Sequence, residues 1–65
     1  MAKSFEIIEK VGISKKCSCD AIERLIKEVN KEKKVSWFEV KEERGRVDEN
    51  GDIEFQVTLK IGIKC

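Results

Sequence analysis

The stretch VSWFEVKEERGRVDENGDIEFQVTLKIGIK, residues 35–64, has the clearest β-strand pattern of the chain. Near its middle lies Asn50-Gly51, a dipeptide that favours a tight turn between two antiparallel strands. After the turn, apolar residues alternate with polar ones: Ile53, Phe55, Val57, Leu59, Ile61 and Ile63. Successive side chains of a strand point to opposite faces, so one face of this strand is apolar throughout. The stretch is therefore predicted to form a long β-hairpin.

The strand before the turn alternates less regularly. Phe38 and Val40 are expected to share a face with the apolar row of the last strand. The opposite face is expected to carry Val35, Trp37, Glu39, Lys41 and Glu43. Gly45 is a candidate for a β-bulge, and a bulge there would change the facing of Arg46 relative to Arg44. The facing of residues 44–47 therefore stays open at this point.

The segment between residues 13 and 34 changes to a helical period. Apolar residues recur there at i, i+3, i+4 and i+7, which predicts one stripe of an amphipathic helix: Ile22, Leu25, Ile26 and Val29. Ser14, Cys17 and Ser18 are the candidate N-caps of this helix. Before it, SFEIIEKVG, residues 4–12, predicts a first strand that ends near Gly12.

The order of elements is thus β-α-β-β, an α+β fold in one domain over residues 1–65. The helix stripe is expected to pack on the apolar face of a three-stranded antiparallel sheet. A chain of 65 residues buries only about 60% of the surface that its unfolded form exposes, so it needs additional stabilisation. Its three cysteines, Cys17, Cys19 and Cys65, are an odd number and do not indicate a disulfide framework. Association of subunits is therefore the favoured source of stability.

The composition disfavours several classes of function. The chain is 42% charged and 40% hydrophobic, which is typical of a globular protein. Its net charge of +1 provides no large positive field, so a dedicated nucleic-acid binder is disfavoured. No segment has the apolar length of a signal peptide, or the about 18 residues of a membrane span, so a soluble, cytoplasmic protein is expected. The chain has no histidine and no evident nucleophile–base pair, which predicts a protein that is not an enzyme.

Trp37, the single tryptophan, is expected on the charged face of the sheet, away from the helix. A large apolar side chain there predicts either a subunit interface or a stacking platform for a planar ligand, with Gln56 as a hydrogen-bonding partner. Trp37 lies towards the open end of the hairpin and Gln56 nearer the turn. Their separation is on the order of 13–27 Å at about 3.3 Å per residue. If both residues belong to one small site, the site must lie between subunits.

Four segments also resemble the dodecins, a family of small flavoproteins, over essentially the whole chain: VGIS, DAIERLIKE, WFEVKEERGRV and EFQVTLKIGIK. The resemblance implies a sheet wrapped around the helix and a hollow homododecamer. It also implies that flavins, riboflavin or FMN, bind as stacked pairs between tryptophans of symmetry-related subunits; some members also bind coenzyme A. Trp37 would then be the stacking residue, Gln56 would contact the polar edge of the isoalloxazine, and Arg46 would lie near the ligand. The role implied is flavin storage and protection.

The segment SKKCSCD departs from the family pattern, which has a serine N-cap where Cys17 stands. Ser14 or Ser18 is expected to cap the helix instead, and Cys17 is alternatively a reactive thiol. The C-x-C pair provides too few ligands for a closed metal site in one chain. DENGD lacks the spacing of a calcium loop and is expected to be only a turn.

Two other classes of function remain open. One is a nucleotide or nucleic-acid binder that uses Trp37 as a base-stacking platform, against which the near-neutral charge counts. The other is a structural or thiol-based module in which the face of Trp37 is only an interface.

Overall fold

The computed structural model describes residues 4–64 and has the predicted element order. Strand β1 spans Phe5–Ser14, helix α1 Ser18–Glu32, strand β2 Val35–Val47 and strand β3 Ile53–Lys64. The strands form one three-stranded antiparallel sheet in the order β1-β3-β2. The last strand of the sequence is therefore the central one, and it pairs with both of the others. The α+β fold class is confirmed; β1 runs two residues beyond the predicted end at Gly12. Cys65 lies outside the described residues.

The core forms between α1 and the apolar row of β3. Val57, Leu59 and Ile61 are completely buried, and Ala21 and Leu25 of the helix close over them. Each such side chain contributes about 1.5–3 kcal/mol relative to leaving it exposed. The rest of the predicted stripe packs at the edge of this core, together with two strand residues: Ile22, Ile26, Val29, Ile8 and Val35. The helix can approach β1 closely because Gly12 has no side chain; a Cβ there would lie 2.9 Å from the carbonyl oxygen of Ala21.

The helix start differs from the expectation that Ser14 or Ser18 caps it. Cys17 is the N-cap: its Sγ accepts a hydrogen bond from the backbone N–H of Asp20 at 3.2 Å. Ser14 is buried at the end of β1, where its hydroxyl donates to Asp20 Oδ2 at 2.6 Å and accepts from the N–H of Lys16 at 3.0 Å. Ser14 is unavailable as a cap because it joins the strand to the side chain in the first turn of the helix. Ser18 is already the first helical residue.

This contact also sets the ionisation of Asp20. The hydrogen bond from Ser14 lowers the pKa of the Asp20 carboxyl below its ordinary value of 3.8, and the charges of Arg24 and Lys16 act in the same direction. Burial opposes the shift without reversing it. The carboxylate therefore stabilises the strand–helix corner in its charged form.

The hairpin turn follows the prediction from Asn50-Gly51. Gly51 has a φ of 84°, in the left-handed region that favours glycine, and its N–H donates to the carbonyl of Asp48 at 3.0 Å. The Asp48 side chain accepts hydrogen bonds from the N–H groups of Asn50 and Asp52, each at 2.9 Å. The Asp48 side chain therefore accepts the hydrogen bonds of the turn itself. Among residues 4–64 there is no cluster of three or more cysteine and carboxylate side chains suited to a metal ion.

The register of β2 against β3 corrects the expected facing of several residues. Irregularities occur between Val35 and Trp37 and between Val40 and Glu42, whereas pairing is continuous through Gly45. Ser36 and Lys41 are thus the extra residues, and the candidate bulge at Gly45 is absent.

Two consequences follow for the faces of β2. Val35 is opposite Ile63 and Glu43 is opposite Val57, so both lie on the side of the helix and not beside Trp37. Arg44 and Arg46 are opposite Gln56 and Glu54, so both arginines lie on the side away from the helix.

The helix covers the sheet unevenly. The molecule measures 54 × 20 × 14 Å, and the hairpin extends beyond the helix. Phe38 is half exposed although it faces the helix side, because it lines an open apolar groove of about 460 Å³ between α1 and β2. Ile22, Ile26 and Cys19 line the same groove. Nearer the turn, Val47 and Ile53 form an exposed apolar pair on the same side. No helix of the described residues is long and apolar enough to cross a bilayer.

Candidate ligand-binding site

The side of the sheet away from the helix, here called the outer face, carries a second set of apolar side chains. Its residues follow from the strand register, because directly paired residues point to the same side. They are Phe5, Ile7, Glu9, Val11 and Ile13 of β1, Glu54, Gln56, Thr58, Lys60 and Gly62 of β3, and Trp37, Glu39, Glu42, Arg44 and Arg46 of β2. The apolar members of this set are all exposed to about the same degree as Trp37 or more. The outer face is therefore an uncovered apolar surface with charges among its residues.

Trp37 lies on the outer face at the open end of the hairpin, as the sequence predicts. It is opposite Gly62, and a Cβ built on that glycine would overlap the indole. Phe5 borders the indole edge-on, with ring centroids 6.5 Å apart and an angle of 68° between the planes. The side chain of Trp37 remains 37% exposed. The indole is thus held against the sheet while part of its surface stays accessible.

Gln56 lies at the other end of the outer face. It is flanked by Ile13 on β1 and Arg44 on β2. Six residues separate it from Gly62, the residue opposite Trp37, which corresponds to about 20 Å along the strand. Within residues 4–64 the amide of Gln56 makes no side-chain hydrogen bond, so its donor and acceptor are both available. The structure does not bring Trp37 and Gln56 together in one chain.

An ion pair crosses the outer face between these two ends. Lys41 Nζ lies 3.0 Å from Glu9 Oε1, although the two residues belong to the two edge strands. Glu9 is opposite Lys60 on the central strand, which lies between Gln56 and Gly62, two residues from Gly62. A small planar ligand on Trp37 therefore cannot reach Gln56 of the same chain.

The two arginines near Gln56 differ in their contacts. Arg46, the arginine expected near the ligand, donates from Nε to Glu54 Oε1 at 2.9 Å, so its charge is paired within the hairpin. Arg44 is directly opposite Gln56, and its Nε lies 3.8 Å from Glu42 Oε1, a longer and more exposed contact. Arg44 is thus the cation nearest in register to Gln56. The sequence prediction named only Arg46, because the facing of residues 44–47 was open and the register shift at Lys41 has no strong local signal.

The comparisons with known proteins agree with this fold. The family model described as Dodecin matches residues 5–65. The chain belongs to the dodecin family.

Its similarity to individual dodecins covers nearly the full length. The chain is 37% identical to the dodecin of Thermus thermophilus over 65 residues, which cover 98% of this chain and 94% of that protein. A crystal structure of a variant of the T. thermophilus dodecin aligns with a TM-score of 0.88 at 35% identity, over 98% of this chain and 96% of the other. The dodecin from Streptomyces davaonensis aligns with a TM-score of 0.89 at 27% identity, over 100% of this chain and 97% of the other. The dodecin fold expected from the four sequence segments is confirmed.

Proposed function

We propose that the protein is a non-enzymatic, oligomeric flavin-binding protein that stores and protects riboflavin or FMN in the cytoplasm. The observation that carries this proposal is the position of Trp37, whose indole lies against Gly62 and remains partly open towards solvent. Isoalloxazine is a planar, largely apolar ring, and stacking on indole contributes about 0.5–1.5 kcal/mol beyond the burial of its area. The family supports the same assignment.

The distribution of the two predicted contacts supports an assembly of subunits. Gln56 lies about 20 Å from the position of Trp37 along the sheet, with the ion pair of Lys41 and Glu9 between them. The flavin stacked on Trp37 of one subunit would therefore meet Gln56 of another. An amide offers one donor and one acceptor group, which match the alternating C=O and N–H groups of the pyrimidine edge of the flavin.

The exposed apolar surfaces support an assembly as well. The outer face and the groove beside Phe38 leave large apolar side chains half exposed on both sides of the sheet. Surfaces of this kind on a small domain are typical of contact sites. We propose that a homododecamer covers them, with flavins stacked in pairs between tryptophans of neighbouring subunits.

A fluorescence titration tests the proposal. The fluorescence of riboflavin or FMN added to ligand-free protein should be strongly quenched. The quenching should saturate near one flavin per subunit. In Trp37→Ala the affinity should fall by about 30-fold or more, because both the stacking and the burial of the indole are lost. The number of subunits should be unchanged.

The matched control is Phe38→Ala, which removes an aromatic ring from the next residue of the same strand but on the side of the helix. Phe38 also lines the groove that the assembly is proposed to cover, so the flavin affinity of this variant is compared for the assembled particle, where it should stay near that of the wild type. Unchanged affinity in Trp37→Ala would reject the site, and loss of assembly in that variant would favour a purely structural role for Trp37.

A further inference from the structure

Gly62 is buried although it lies on the outer face between two lysines, Lys60 and Lys64. The reason is the indole of Trp37, which covers it. The indole atoms nearest to a Cβ built on Gly62 are Cε2, Nε1 and Cδ2 of Trp37. Cδ2 and Cε2 are the two carbons shared by the rings of the indole. The ring therefore rests on the glycine with one of its faces and not with its outer edge.

This arrangement leaves the opposite ring face as the one that a ligand can stack on. Trp37 belongs to the edge strand β2, and its side chain extends over Gly62 of the central strand towards Phe5 of β1. Phe5 then meets the ring at 68°, an edge contact that limits its rotation in the plane of the sheet. The ring is fixed from below by a residue without a side chain and from the side by an aromatic neighbour.

We propose that Gly62 and Phe5 are positioning residues of the flavin site: they hold the indole of Trp37 flat on the sheet with a single face open for stacking. The inference rests on the proposed function. A glycine within a strand loses packing and often marks a close approach, and here the approaching group is the binding residue itself. Any larger residue at this position would occupy the space of the indole and turn the ring away from the sheet. The proposal also limits each tryptophan to one stacked ligand.

The test compares Gly62→Ala with Gly45→Ala. Both substitutions add one methyl group to a strand glycine, and neither glycine has a positive φ. A Cβ on Gly62 would overlap the indole, whereas a Cβ on Gly45 would lie 3.4 Å from the carbonyl oxygen of Glu54 and on the side of the helix. Because the chain contains one tryptophan, its intrinsic fluorescence reports on Trp37 alone.

In ligand-free protein, Gly62→Ala should make Trp37 more accessible to quenching by acrylamide, and riboflavin should bind about tenfold more weakly or worse. Gly45→Ala should match the wild type in both measurements. Phe5→Leu keeps an apolar side chain but removes the ring, and it should weaken riboflavin binding by about threefold. It also provides the test if Gly62→Ala does not fold.

The outcomes separate the inference from the function on which it rests. A wild-type protein that leaves riboflavin fluorescence unquenched would overturn the proposed function and the positioning role together. A wild-type protein that binds riboflavin, with unchanged affinity and unchanged acrylamide quenching in both Gly62→Ala and Phe5→Leu, would overturn only the positioning role.

Discussion

Ile61 and Ile7 are the same residue type on adjacent strands, one step apart in register, and their surroundings are opposite. Ile61 faces the helix and is 0% exposed, whereas Ile7 lies on the outer face and is 54% exposed. The same contrast holds for the sheet as a whole: the helix covers the apolar row of β3, and no element of residues 4–64 covers the outer face. Apolar content alone therefore does not identify a core. One face supplies the stability of the subunit, and the other is available for a ligand and for other subunits.

The largest expected effect separates these two faces directly. Ile61→Ala should lower the free energy of unfolding by about 2–5 kcal/mol, because it opens a cavity in a close-packed core. Ile7→Ala, the matched control, should lower it less, because within the subunit this side chain is half exposed and only contacts between subunits can cover it. Urea unfolding followed by circular dichroism measures both. Equal losses would mean that the two faces contribute alike to folding.

Gln56 tests the polar end of the outer face. Gln56→Leu keeps the approximate size of the side chain but leaves the polar edge of the flavin without its proposed hydrogen-bonding partner. The free energy of riboflavin binding should therefore become less favourable by about 1–3 kcal/mol. Thr58→Val alters the next outward-facing residue of the same strand and should bind as the wild type does. Riboflavin titration of the two variants decides: an unchanged affinity in Gln56→Leu would remove this residue from the site.

Acid should lower the free energy of unfolding by protonating Asp20 at the start of the helix. Its pKa is lowered in the folded protein, chiefly by the Ser14 hydroxyl, so the charged carboxylate stabilises the fold above the ordinary value of 3.8. This contribution should be lost as the pH falls through the lower, folded-state pKa. Unfolding measured between about pH 2 and 6, a range that extends about two units on each side of the ordinary value, should show a smaller acid-induced loss of stability in Asp20→Asn than in the wild type. Identical pH profiles would show that the Ser14–Asp20 contact does not set the ionisation.

The smallest expected effect concerns the cap of the helix. A serine hydroxyl is a better hydrogen-bond acceptor than a thiol, so Cys17→Ser should raise the free energy of unfolding by about 0.5–1 kcal/mol. Cys19→Ser, two residues further on and exposed, is the control and should have little effect. Both variants should keep the flavin affinity of the wild type, because the cap lies on the helix side. Thermal unfolding measures the stability and riboflavin titration the affinity. A loss of affinity in Cys17→Ser would show that the helix cap influences the outer face.

Local patterns of sequence predicted the fold well. The spacing of Ile22, Leu25 and Val29 and the turn at Asn50-Gly51 each depend on neighbouring residues, and the structure has both. The predicted helix cap was wrong because the Ser14 hydroxyl donates its hydrogen bond to Asp20. These residues are six positions apart, a spacing that capping preferences do not include.

The positions of the candidate site residues were predicted only in part, for a related reason. The outward position of Trp37 and its distance from Gln56 follow from alternation and chain length. The bulges at Ser36 and Lys41 depend on how two strands fit each other, and they decide that Trp37 lies on Gly62 and that Arg44 is opposite Gln56. Cross-strand contacts of this kind have no signal within either strand alone.

We propose that the outer face becomes a flavin site only when subunits assemble. Size-exclusion chromatography with light scattering, monitored at the flavin absorbance, tests it most directly. Flavin should co-elute with a particle of about twelve times the 7.5 kDa chain mass and be absent from any monomer fraction. Flavin bound stoichiometrically to a stable monomer would rule out a site shared between subunits, because Trp37 and Gln56 of one chain cannot reach the same ring.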